Sequence, residues 1–119
     1  MYQQDFLMRQ IKGIADMIAA IIFRKTEVAY EIQDETNHTE TDTLFLNLTQ
    51  LLDIGKINEA EDLLFDSLDT NNRNHLLLAT DFYQRLNAKT DAELKDYGFS
   101  RAEVEEGLAE IIAKFGIQI

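Results

Sequence analysis

Apolar residues recur along the opening stretch at Leu7, Ile11, Ile14, Ile18 and Ile21, alternately four and three positions apart. That is the spacing of a helix packing lengthwise on another helix. Met8, Ala15, Ile22 and Ala29 recur beside it every seven residues, widening the apolar face. The run from Phe6 to Ile32 has no proline and only Gly13, so the pattern predicts one long helix across 1–32. At 1.5 Å per residue the Phe6–Ile32 stretch alone would run roughly 40 Å as a helix, more than a chain of this size encloses. The excess predicts an interface on Leu7, Ile11, Ile14, Ile18 and Ile21, with a second copy of the chain as partner, a homodimer.

The polar run QDETNHTETD (33–42) then reads as a loop, and 43–119 as a bundle of shorter helices. Leu44–Ile54 forms a helix capped by Asp42 or Thr43 and closed by Gly55, and Ile57–Leu68 forms the next. His75–Asn87, capped by Asn74, carries Leu76, Leu77, Ala79, Phe82, Tyr83 and Leu86, which makes it central to the core. Two capping-box patterns, Thr90 with Glu93 and Ser100 with Glu103, open the last two helices, which end at Gly98 and Gly116. Phe99 and Val104 are placed to staple the last helix start. The fold class is all-α, a single domain of five or six helices.

Composition narrows function by exclusion. The 119 residues include no cysteine and no proline, so there is no disulfide or thiolate metal chemistry and little turn-rich character. The formal net charge is −11, and residues 1–31 contribute nothing to it, with four acids (Asp5, Asp16, Glu27, Glu31) and four bases (Arg9, Lys12, Arg24, Lys25). Residues 32–119 hold 18 acids against 7 bases. Such a surface repels phosphate backbones, so no nucleic-acid partner is expected. The densest apolar run, Ile14–Phe23, is too short to cross a bilayer and contains Asp16. No small-residue cleavage site follows it, which points to a cytoplasmic protein. Association with a membrane surface through Arg9, Lys12, Arg24 and Lys25 is the alternative reading.

Candidate chemistry is sparse. His38, followed by Glu40 and Asp42 at loose spacing, does not make a metal site. Asp69-Thr-Asn-Asn-Arg-Asn-His75 begins like a calcium loop. It then places Arg73 at a ligand position, Asn74 where glycine is needed and Thr80 where a bidentate glutamate belongs. Glu59, Asp62, Asp66 and Asp69 share one helix face, which reads as solvated rather than catalytic. No phosphate loop, His-Glu-x-x-His or nucleophile–base pair is present. The expectation is a non-catalytic protein with no metal and no cofactor. A carboxylate pair assembled in space is the one enzymatic alternative, and sequence cannot reveal it.

Two resemblances add to this. The hairpin around Asp53–Ile57 resembles a tetratricopeptide repeat, with Leu44, Leu48 and Leu51 at first-helix packing positions, Gly55 near the turn, Ala60 where the helices touch, and Leu64 and Ser67 beyond. It departs at Asn47, where leucine is usual, and in lacking a closing proline. The resemblance implies a possible groove at Asp42, Phe45, Thr49 and Asp53. The lysine and asparagine that clamp a peptide carboxylate in that family are absent, so such a groove would suit a basic or hydrophobic segment. Second, MYQQDFLMRQI, NEAEDLLFDSLD and LATDFYQRLNAKTDAELKDYGFSRAEVEEGL resemble small uncharacterised proteins of low-GC Gram-positive bacteria. That likeness implies a helical fold and no activity.

Overall fold

The computed structural model describes residues 2–118, with side chains from Asp5 onward. Six helices follow in order: α1 (Tyr2–Ile22), α2 (Glu40–Asp53), α3 (Ile57–Ser67), α4 (Arg73–Asn87), α5 (Asp91–Asp96) and α6 (Arg101–Phe115). Among the described residues there is no strand.

The organiser is α4. Leu76–Tyr83, Leu86 and Asn87 are all buried, so this helix is covered nearly all round. It packs against α6, α1 and α2, while α2 and α3 pair as a hairpin. Most of the polar groups this burial traps are paired, as buried polar groups usually are, with Arg101 Nε an exception. Thr80 donates its hydroxyl to the Leu76 carbonyl at 2.8 Å. Asn87 donates its amide to the Met8 carbonyl of α1 at 3.0 Å. Arg101, itself buried, donates to the carbonyls of Asn87 at 2.7 Å and Lys89 at 2.8 Å and to Asp91 Oδ1 at 2.7 Å. It thereby fastens α6 to the end of α4 and the start of α5.

The long-helix expectation is corrected. α1 ends at Ile22, ten residues short of Ile32, and residues 23–39 form a loop. The stop is a left-handed turn: Arg24 takes φ 55, and the Lys25 N–H reaches back six residues to the Ala19 carbonyl at 2.9 Å. Arg73 completes it, donating to the Ile22 carbonyl and lying over the Phe23 ring at 5.3 Å. Beyond the stop, Val28 and Tyr30 are buried and Ile32 half-buried, while Glu31 is exposed. The apolar residues there, Val28, Tyr30 and Ile32, are spaced by two, the period of extended chain rather than of a helix.

Two cap assignments also move. α2 is capped by Thr39, with Asp42 returning the bond as a capping box, and α4 by Asn72 rather than Asn74. The predicted box at Thr90 and Glu93 is present. At Ser100 the hydroxyl caps the Glu103 N–H at 3.2 Å. Gly55, Gly98 and Gly116, the residues read as helix stops, all take positive φ.

Candidate functional site

The five interface candidates on α1 divide by burial. Ile11 and Ile18 are fully buried in this chain's own core, and Leu7 and Ile14 are half-buried, whereas Ile21 is 66% exposed. The four-three seam therefore serves the packing of α1 on α4 and α6, and the residues assigned to a partner are mostly spoken for within the chain. What faces outward is a different stripe, Phe6, Gln10, Gly13, Met17 and Ala20, every member of it exposed. Phe6 at 60% and Met17 at 38% are among the most exposed large apolar side chains. Beside Met17 and Ile21 lies a cleft of about 390 Å³ whose other wall is Phe115, Gly116, Ile117 and Gln118 at the end of α6. Apolar area left open in this way marks contact surfaces. The charges on α1 balance, two acids (Asp5, Asp16) against two bases (Arg9, Lys12), and Lys12 bridges Asp16 at 2.6 Å.

The groove implied by the repeat-like hairpin is not assembled as one surface. Asp42 is buried, accepting the Tyr30 hydroxyl at 2.6 Å and the Thr39 N–H at 2.9 Å. Those two bonds, Tyr30 foremost, hold its carboxyl below the usual range. Burial, with Asp42 adding to it, pushes the Tyr30 hydroxyl up to about 12. Together they wall a cleft of about 320 Å³ with Phe23, Lys25, Asn37 and Asn74. Phe45 and Thr49 line a narrow slot with Asp81 and Arg85 instead. The slot is filled by its own side chains. Phe45 stacks on Tyr30 at 4.9 Å, Arg85 covers the Phe45 ring at 5.2 Å, and Arg85 bridges Asp81 at 3.0 Å. Burial raises the Asp81 carboxyl, against the pull of Arg85. Asp53 is exposed and borders neither cavity.

The fold also brings together carboxylates that lie far apart in sequence. Glu61 and Asp62 of α3 face Glu103, Glu106 and Glu110 of α6 across a cleft of about 340 Å³, with Phe65 and Gly107 in its wall. Tyr83, wholly buried on α4, donates its hydroxyl to Glu61 at 2.7 Å. Burial, and then Glu103, Asp62 and Glu110, hold the Glu61 carboxyl above its ordinary value, while the Tyr83 bond opposes them. Tyr83 is itself pushed up, by burial first and by Glu61 after it. A glycine is required at 107, because a Cβ there would overlap the Tyr83 ring. In the sequence Asp62 reads only as part of a solvated face and Glu103 only as a cap partner, while Glu61, Glu106 and Glu110 carry no signal. Among the described residues no three histidines, cysteines or acids are grouped as a metal ion would need. Nor is any described helix long and apolar enough to cross a membrane.

No curated protein and no solved structure matches the chain. Residues 1–116 match the Family of unknown function (DUF6483), and with nearly the whole sequence covered, the chain belongs to that family.

Proposed function

We propose that this chain is a non-catalytic self-assembly module, a homodimer joined through the outward face of α1. The observation that carries the reading is a helix face that is apolar, charge-balanced and uncovered, on a chain whose net charge is otherwise −11. Two copies repel wherever residues 32–119 meet, and α1 is where that repulsion is smallest. Covering Phe6, Met17 and Ile21 on each copy would contribute roughly 1.5–3 kcal/mol per side chain before the cost of association is subtracted. The adjoining cleft with Phe115 and Ile117 extends the same apolar surface.

Light scattering on the purified chain tests this. The unmodified protein is expected to scatter as a dimer. Met17→Glu combined with Ile21→Glu should scatter as a monomer with unchanged helical circular dichroism, since neither residue belongs to the core. An unmodified chain that remains monomeric at high concentration defeats the proposal. Co-sedimentation with anionic vesicles under the same conditions would transfer the face to a membrane surface.

A further inference from the structure

Gly13 stands in the interior of α1, where glycine is less stable than alanine. Nothing inside this chain calls for it: its φ is not positive, and a Cβ added there would meet no atom within 4 Å. It lies at the middle of the outward stripe, with Phe6 and Gln10 before it and Met17 and Ala20 after it, three and four residues apart. Arg9 and Asp16 flank this stripe on one side, seven residues and so two helical turns apart. They are too far apart to pair with each other; Asp16 is bridged by Lys12 of its own helix at 2.6 Å, and an Arg9 from a second copy would join that pair from the stripe side.

Resting on the self-assembly reading above, we propose that α1 pairs with α1 of a second copy in antiparallel fashion, about a two-fold axis between Ile11 and Lys12. In this register Phe6 of one copy lies opposite Met17 of the other, a sulfur–aromatic contact made twice. Gln10 lies against Gly13, whose missing side chain lets the two backbones come close. Arg9 of each copy reaches Asp16 of the other, an opposite-charge contact that the two-fold axis repeats. The helices overlap along nearly their whole length of roughly 30 Å. A parallel pairing has none of these contacts: it sets Phe6 beside Phe6, Met17 beside Met17 and two Gly13 residues across an empty gap, and it leaves Arg9 and Asp16 of the two copies on opposite edges of the pair. This self-complementarity under a two-fold axis is what selects a second copy as occupant rather than an unrelated helix.

The chain has no cysteine, so Phe6→Cys and Met17→Cys each introduce a single thiol. When the two variants are mixed and mildly oxidised, the expected main product is the disulfide between unlike variants. Self-linked Phe6→Cys as the main product, or no mixed disulfide from a chain that scatters as a dimer, overturns the antiparallel register and leaves self-association standing. An unmodified monomer overturns both. Gly13→Leu supplies the second arm. It should weaken the dimer at least tenfold without loss of helical signal, because the space around Gly13 is empty within the chain. Undiminished dimerisation of Gly13→Leu removes the close approach at Gly13 and with it the register.

Discussion

The outward face of α1 and the cleft between α3 and α6 are both seams where water reaches apolar side chains, and they are built in opposite ways. On α1 the charges cancel, and Phe6, Met17 and Ile21 stand open. In the cleft five carboxylates, those of Glu61, Asp62, Glu103, Glu106 and Glu110, surround a single half-buried ring, Phe65, over which Lys114 lies at 5.8 Å. The first seam can accept a copy of itself without bringing like charges together. The second cannot, because every copy would present the same acids. One chain thus separates a surface suited to self-association from one that resists it, and the charge asymmetry between residues 1–31 and the remainder is the sequence record of that separation.

The sharpest way to break the contrast is to cut on either side of the α1 surface. Ile18 is buried under α4 and α6, and Ile21, three residues on, points outward. Ile18→Ala should cost about 2–5 kcal/mol in denaturant unfolding, as large-to-small core changes do. Ile21→Ala should change the stability of the monomer by no more than about 0.5 kcal/mol, the usual range for surface sites. Equal losses at the two positions would mean that the face described as outward is covered, and the comparison would collapse.

The floor of the acidic cleft gives the next largest effect. Gly107 sits in the interior of α6 against the Tyr83 ring, which is fully buried and cannot step aside. Gly107→Ala favours the helix locally, yet it should destabilise the protein by about 1–3 kcal/mol through overpacking. Gly13→Ala, the same exchange in the interior of α1, should stabilise the monomer by roughly 0.5–1 kcal/mol because its Cβ enters open space. Thermal melts of the two variants, run at a concentration where the chain is monomeric, should therefore shift in opposite directions.

Much of this arrangement could be read from the sequence, and the failures are specific. The ends of α2, α5 and α6 were legible because Gly55, Gly98 and Gly116 supply the positive φ that helix stops need. The core role of α4 was legible because its apolar residues cover more than one face. The end of α1 was not, since its stop uses Arg24 in a conformation usually given to glycine and is fixed by Arg73, about fifty residues later. The regular four-three seam misleads for a different reason: Ile11 and Ile18 on it are buried within the chain. Periodicity reveals that a helix has an apolar face, but which face its own chain covers depends on α4 and α6. The cleft acids were illegible in a stricter sense. Glu61 and Glu103 become neighbours only through the packing of α3 and α6 around Tyr83, and no spacing rule links them.

The smallest expected effect separates two tyrosine–carboxylate pairs by sign alone. Asp42 and Glu61 each accept a tyrosine hydroxyl, at 2.6 and 2.7 Å, but Asp42 is held below its ordinary value and Glu61 above it. A depressed carboxyl contributes stability that is present at neutral pH and is lost as the pH falls through the folded value. A raised carboxyl does the reverse: its contribution is full below the unfolded value and is lost as the pH rises through the folded one. Asp42→Asn should accordingly weaken the protein most at neutral pH, with the gap to the unmodified chain narrowing in acid. Glu61→Gln keeps an oxygen to accept the Tyr83 hydroxyl and removes one charge from among five, so it should stabilise the protein at neutral pH. That gain should fade as the pH falls through the glutamate range, when the unmodified residue also becomes neutral. Urea unfolding at neutral and acidic pH measures both differences. Should Glu61→Gln destabilise equally at both, the Tyr83 bond outweighs the crowding of acids, and the cleft is held together by that bond rather than strained by its charge.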